Sequence, residues 1–151
     1  MKIAVKSLEE LNALAKKLSK NLSGGTVLAL VGELGAGKTT FSKFFLHSAG
    51  INKTITSPTF VLMNRYAKGK KFYYHLDLYR TKNFAEIEAL GVPEEWQRDE
   101  NIFLIEWADK IRRQLPKNTI TLKFKVAKNH RQIEILNLPA KIAKILSWLK
   151  H

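Results

Sequence analysis

The chain has 151 residues, enough for one compact domain and too few for two ordinary ones, and its 45% hydrophobic content is ample for a core. It has no cysteine, which excludes a disulfide framework, a thiolate zinc site and a cysteine nucleophile. Its 26 Lys and Arg against 13 Asp and Glu leave a net charge of +13, with 11 of the basic but only 3 of the acidic residues after residue 100, so either a polyanionic or acidic partner or plain solubility is served.

Residues 1–6 read as a short strand. Lys2 and Lys6 are followed by Glu9 and Glu10 before any apolar run could form a signal peptide, and no stretch is long enough to span a bilayer, so a cytoplasmic location is expected. Ser7-Leu8-Glu9-Glu10 is a capping box, with Ser7 accepting from the backbone and Glu10 reaching back. Leu8, Leu11, Leu14, Ala15, Leu18 and Leu22 recur at helical spacing and predict an amphipathic helix over 8–20, ended by Gly24 and Gly25. The apolar run 26–31 has the length and continuity of a strand covered on both faces of a parallel sheet. A Gly-rich loop follows, then a helix from about 38 to 49 with Phe41, Phe44 and Phe45 inward, closed by Gly50.

Pro58 and its turn-forming neighbours make 51–59 a loop. Runs 60–66 and 71–79 flank Lys68-Gly69-Lys70 and predict a hairpin. A short helix over 83–90 stops at Gly91, and Pro93 opens another helical turn. Residues 102–105 form a second buried strand, followed by a helix from about 108 to 115 that ends at Pro116. Residues 119–125 and 132–137 alternate in polarity as a two-stranded antiparallel excursion, and 140–149 close the chain as an amphipathic helix. Trp96 and Trp148 read as packing residues. No repeat or linker interrupts the pattern, so 1–151 is expected to form a single α/β domain.

The chemistry concentrates in the Gly-rich loop. Gly32-Glu33-Leu34-Gly35-Ala36-Gly37-Lys38-Thr39 satisfies every fixed position of G-x-x-x-x-G-K-[ST], between a buried strand and a helix. Glycines let successive N–H groups turn inward onto phosphates, and the helix N-terminus adds its partial positive charge. Lys38 supplies a cation for the β- and γ-phosphates, and the Thr39 hydroxyl is suited to Mg²⁺. Glu33 and Leu34 read as loop filler. Such a site also needs a carboxylate for the metal and a group to orient the attacking water. Glu106 follows the run 102–105 and so emerges at the C-terminal edge of a buried strand, where ligands gather in open α/β sheets; a surface strand-end carboxylate is the plainer alternative. In 72–80, alternation places Tyr73, His75, Asp77 and Tyr79 on one face, unusually polar for mid-strand. Asp77 is the second candidate acid, against a simple salt bridge to Arg80 or a lysine. His75 reads as a space-filling strand residue, and Trp107 either packs over a nucleotide or fills core.

Gly32–Thr40, Ser57-Pro58-Thr59-Phe60, His75–Arg80 and Ile105-Glu106-Trp107 together resemble, in order and spacing, the TsaE (YjeE) family of bacterial tRNA-modification ATPases. The resemblance spans residues from about 8 to 110, and the Ser-Pro-Thr-Phe and Asp-Leu-Tyr-Arg segments make it specific. It implies a P-loop NTPase-type three-layer fold, with a mostly parallel central sheet flanked by helices and antiparallel strands added. It further implies an Mg-dependent ATPase, turning ATP into ADP and phosphate slowly on its own. Such a protein works with TsaB and TsaD as they form threonylcarbamoyladenosine (t6A) beside the tRNA anticodon, meeting tRNA directly or through that complex. A basic surface and an exposed loop fit a partner better than a stable homodimer, so a monomer is expected when the protein is free. By this resemblance Gly32, Gly35, Ala36, Gly37, Lys38, Thr39 and Thr40 cradle the nucleotide, and Thr39, Glu106 and Asp77 serve metal and water. Ser57 and Thr59 belong to a switch-like loop sensing the γ-phosphate, and Trp107 neighbours the nucleotide.

The rival from another enzyme class is a P-loop small-molecule kinase, with Arg65, Arg80 and Arg112-Arg113 as a phosphoryl clamp, although no basic lid segment is recognisable. A GTPase lacks its base-reading Asn-Lys-x-Asp, since Asn52-Lys53-Thr54-Ile55 has no final Asp. An RNA-binding module rests on charge alone. For the adenine, the segment around Ser7–Leu8 and the loop near 126–128 are the two candidate sources of contacts.

Overall fold

The computed structural model describes residues 1–96 and 98–149; Gln97, Lys150 and His151 lie outside the described residues. The continuous apolar run Thr26–Gly32 forms β2 and lies in the middle of a seven-stranded sheet, where both of its faces are covered. The other strands are β1 (Lys2–Val5), β3 (Met63–Lys68), β4 (Lys71–Asp77), β5 (Asn101–Glu106), β6 (Ile120–Val126) and β7 (Arg131–Leu136). Their order is β1-β7-β6-β2-β5-β4-β3. The four central strands β6, β2, β5 and β4 run parallel, while β3, β7 and β1 are added antiparallel at the margins. The expected α/β architecture, a mostly parallel sheet with antiparallel additions, is the one observed.

Strand alternation divides the core between two layers. Leu28 and Leu30 of β2, Leu104 of β5 and Leu122 of β6 join Leu14, Phe41, Phe45 and Leu146 on the side of α1 (Leu8–Asn21), α2 (Lys38–Ser48) and α5 (Ala140–Ile145). Val27, Ala29, Phe103 and Ile105 belong instead with Ile87, Val92 and Ile111, from α3 (Ala85–Glu88), α4 (Val92–Glu95) and a 3-10 turn at Ala108–Ile111. This second layer leaves β6 and β7 bare: their alternate residues Thr121, Lys123, Gln132 and Glu134 are only half-buried. No helix among the described residues is long and apolar enough to cross a membrane.

Local chemistry explains where the elements begin and end. Ser7 Oγ accepts the Glu10 N–H at 3.2 Å, while Glu10 Oε2 accepts the Lys6 N–H at 2.7 Å, one residue earlier than the capping-box pattern places it. The hairpin strand expected from residue 60 starts only at Met63. The Pro58 carbonyl accepts the Val61 and Leu62 N–H groups at 3.0 and 2.7 Å, closing a turn that leaves Phe60 82% exposed. The helix expected over 108–115 shortens to the 3-10 turn, continued by a further turn in which the Gln114 N–H donates to the Ile111 carbonyl at 3.0 Å; Pro116 then biases Leu115 away from helix. The 120–136 pair is no excursion: β6 joins β2 from Leu28↔Ile120 to Gly32↔Phe124 and is integral to the sheet. The last helix ends at Ile145, followed by a 3-10 turn, and Trp148 is 49% exposed beside Lys17 instead of packed. Trp96 is buried against Phe84 as expected.

Candidate active site

Two glycines set the geometry of the phosphate loop. At Gly32, the last residue of β2, an added Cβ would sit 2.5 Å from the Phe124 carbonyl oxygen on β6, so only glycine allows this approach. At Gly37, φ of +109° turns the chain directly into α2. The loop therefore delivers the N-terminus of an 11-residue helix to the C-terminal edge of the parallel strands. Lys38 is buried, and its Nζ donates to the carbonyls of Gly32 at 2.5 Å and Glu33 at 2.8 Å. The same ammonium lies 4.2 Å from the centroid of the Trp107 ring. Burial pushes it below the ordinary lysine range, and Glu106, Asp77, Asp109 and Glu33 pull it partly back.

The two acids are register neighbours, Asp77 at the end of β4 and Glu106 at the end of β5. Both are buried on the side of the sheet that faces α2. Glu106 Oε1 accepts the Thr39 hydroxyl at 2.6 Å, and Oε2 is hydrogen-bonded to His75 Nε2. An ionised carboxylate can only accept, so the imidazole N–H is the donor. Asp77 accepts the Thr59 hydroxyl at 2.7 Å and the Tyr79 backbone N–H at 3.0 Å. Ser57 Oγ lies 2.7 Å from Thr59 Oγ1. Since Thr59 spends its proton on Asp77, Ser57 must donate to Thr59, and a chain of hydroxyls runs from loop to acid. All four carboxylate oxygens thus have a donor from this chain.

These groups open onto a cavity of about 280 Å³, lined by Gly35, Gly37, Lys38, Thr39, Thr40, Thr59, Asp77, Glu106 and Trp107. Of the remaining candidates, Gly32 contributes the carbonyl under Lys38, Ser57 stands one hydroxyl behind Thr59, and Ala36 lines a second cavity. That second cavity, about 270 Å³, shares Gly35, Gly37 and Thr40 and is walled by Val5–Leu8 on one side and Asn129–Arg131 on the other. Ser7 and Leu8 are therefore beside the loop, whereas 126–128 are not; the next three residues are. Three residues escaped sequence reading. Leu34, which reads in the sequence as loop filler, lines the first cavity, as does Tyr79, whose ring centroid is 5.1 Å from that of Trp107. His75 shares a face with Asp77 in the strand pattern, but only cross-strand pairing reveals that it meets Glu106. Trp107 itself has φ of +58°, costing roughly 1–2 kcal/mol for a non-glycine residue, and is held so between Lys38 and Tyr79.

A half-buried hydroxyl, two neighbouring buried carboxylates and a lysine beside a helix N-terminus are groups that could hold a phosphorylated ligand together with a hard divalent cation. Among the described residues no cluster of three or more His, Asp or Glu could hold a metal unaided. The donors the site offers, a hydroxyl and neighbouring carboxylates, are of the kind Mg²⁺ takes when phosphates and water complete its shell. Of the arginines considered for a kinase clamp, Arg65 stacks 4.0 Å from the Phe72 ring centroid and Arg112 and Arg113 line a separate groove, while Arg80 stands over Phe60 and lines a small adjoining cavity with Thr59 and Asp77.

The family model described as "Threonylcarbamoyl adenosine biosynthesis protein TsaE" matches residues 5–133. The Bacillus subtilis (strain 168) protein named "tRNA threonylcarbamoyladenosine biosynthesis protein TsaE" is 40% identical over 119 residues, covering 79% of this chain and 73% of that protein. Its namesake from Rickettsia prowazekii is 38% identical over 128 residues, covering 84% and 88%. Among solved structures, the crystal structure of Bacillus subtilis YdiB superposes with a TM-score of 0.75 at 29% identity, over 99% of this chain and 93% of that one.

Proposed function

The chain belongs to the TsaE family, which takes part in making threonylcarbamoyladenosine in tRNA, and on that premise we propose that it binds Mg-ATP and hydrolyses it in support of a TsaB–TsaD pair. The observation carrying this reading is the convergence of Lys38, the Thr39–Glu106 pair and the Thr59–Asp77 pair on one cavity at the N-terminus of α2.

In this reading the nucleotide's phosphates replace the Gly32 and Glu33 carbonyls as partners of Lys38, which is already poised beside them. Thr39 and Glu106 would hold the metal, with Asp77 next to them, and Mg²⁺ bound there would neutralise charge developing on the phosphates. The hydrogen-bond partners divide the acids. Glu106 is tied to the phosphate-loop hydroxyl, while Asp77 is tied to the 57–59 loop, which suits it to orient the attacking water and to report on the γ-phosphate. Loss of that phosphate would release Thr59 and its loop, linking hydrolysis to partner engagement. His75 keeps Glu106 aimed, as an outer-shell donor commonly does for a ligating group. Adenine is assigned to the second cavity, between Val5–Leu8 and Asn129–Arg131, because it adjoins the loop on the side away from the acids.

The test is ATP hydrolysis by the purified protein with no acceptor added, alone and with a TsaB–TsaD pair, with Lys38→Ala as control. Slow turnover that rises with the pair and disappears in the variant is expected. Phosphate release indifferent to the pair would remove its supporting role, and ATP consumption only when a small-molecule acceptor is supplied would indicate a kinase.

A further inference from the structure

A further, larger cavity lies outside the chemistry just assigned. It is a groove of about 580 Å³ on the sheet face that α1 and α2 do not cover, at the step where the second layer stops. One wall comes from the segment after β5, with Arg112, Arg113 and Lys117; the other comes from β6, with Lys123. Its floor is apolar, through Val31, Leu115 and Leu136, all half-buried. Thr119 also lines it, 5% exposed, with a hydroxyl that has no partner among the described residues.

The charge of this groove is unbalanced. None of its four cations forms an ion pair among the described residues. The acids nearby are Asp109 in the lining and Glu134, the register neighbour of Lys123 on β7. We infer that this groove is a docking surface for an acidic amphipathic helix of a protein partner. Three observations choose that occupant. The cationic rim over an apolar floor asks for a ligand carrying carboxylates around apolar anchors. β6 is paired on both sides, by β2 and β7, so its backbone is spent and a bound strand could not extend the sheet here. None of the described lining residues is aromatic, so the groove lacks the stacking platforms by which proteins hold unpaired RNA bases. The groove reaches the nucleotide site through one short segment, since Glu106 and Trp107 line that cavity and Ala108 and Asp109 line this one.

The inference stands apart from the Mg-ATP reading, and its test separates the two. The probe is a fluorescein-labelled peptide of about 15 residues, roughly four turns, with leucines at i, i+4 and i+7, a glutamate flanking each, and helix-favouring alanines elsewhere, its helicity checked by circular dichroism. Fluorescence anisotropy compares it with single-stranded RNA of equal length. The peptide is expected to bind the full chain, to lose about tenfold or more in affinity with R112E/R113E, and to be unaffected by Lys38→Ala. K16E/K20E, the same charge change on exposed positions of α1, is expected to weaken it less than about threefold. K117E/K123E probes the groove independently, so that a folding defect in the first variant does not decide the matter. Equal losses from groove and α1 variants, no peptide binding, or tighter RNA binding lost through the same groove residues would each overturn the inference.

Discussion

The C-terminal edge of β2, β5 and β4 and the bare face over β6 and β7 both present charge, by opposite means. At the edge, Asp77 and Glu106 are buried, and every carboxylate oxygen has a donor from this chain. On the bare face, Arg112, Arg113, Lys117 and Lys123 are exposed or half-buried and have no ion-pair partner among the described residues. Buried polar groups are costly unless satisfied, so the edge is organised before any ligand arrives. Hydrated charge costs little, and the face can hold it unpaired until something anionic comes. Substitutions at the edge should therefore damage chemistry and folding together, whereas those on the face should be silent until a partner is present.

The largest effect is expected from Glu106→Gln, which keeps the shape and removes the charge: ATP turnover should fall roughly 100-fold or more, and the thermal midpoint should drop with it, because the amide offers one acceptor oxygen to the two donors Thr39 and His75. Unchanged turnover would place the chemistry elsewhere. His75→Ala should cost about 2–4 kcal/mol in urea denaturation, because it opens a cavity and deprives buried Glu106 of a donor. A loss under about 1 kcal/mol would mean that the histidine merely fills space. Thr59→Ala removes one donor from Asp77 and should lower turnover by roughly tenfold, at about 1 kcal/mol of stability. If both turnover and partner binding survived, the sensing role of the 57–59 loop would be gone.

Lys38 sharpens the contrast through pH. Its folded value lies below the ordinary lysine value, so the folded chain binds fewer protons between the two, and its burial penalty is relieved as pH rises through that window. Anionic phosphates should raise the value again. ATP binding at a pH between the folded and the ordinary lysine value should therefore take up a fraction of a proton, seen as a calorimetric heat that varies with buffer ionisation enthalpy, and the uptake should fade as pH falls below the folded value, where the lysine is already charged. The smallest effect belongs to the bare face: Arg112→Ala/Arg113→Ala should change stability by no more than about 0.5 kcal/mol in denaturant.

What could be read in the residues divides along the same line. The phosphate loop was legible because its spacing is local: glycines, lysine and threonine must follow one another for the backbone to close on a phosphate. Asp77 and Glu106 were legible because each ends a recognisable strand. Their partners were not, since His75 reaches Glu106 only through the pairing of β4 with β5, and pairing is not local. The two strands of 119–137 pair antiparallel as their alternation implies, but their place beside β2 depends on Leu28↔Ile120 and its neighbours, which alternation does not reveal. Nor does composition announce the left-handed backbone of Trp107, which swings its ring over Lys38.

The most direct measurement is a calorimetric titration of the full chain with ATP, with Mg²⁺ and with EDTA, against Lys38→Ala and Glu106→Gln. Binding strengthened by Mg²⁺, weakened about 10- to 100-fold by Lys38→Ala and stripped of its Mg²⁺ dependence by Glu106→Gln is the expected result. ATP binding of equal strength in Lys38→Ala, or none in the unaltered chain, would contradict the assignment of this cavity to Mg-ATP.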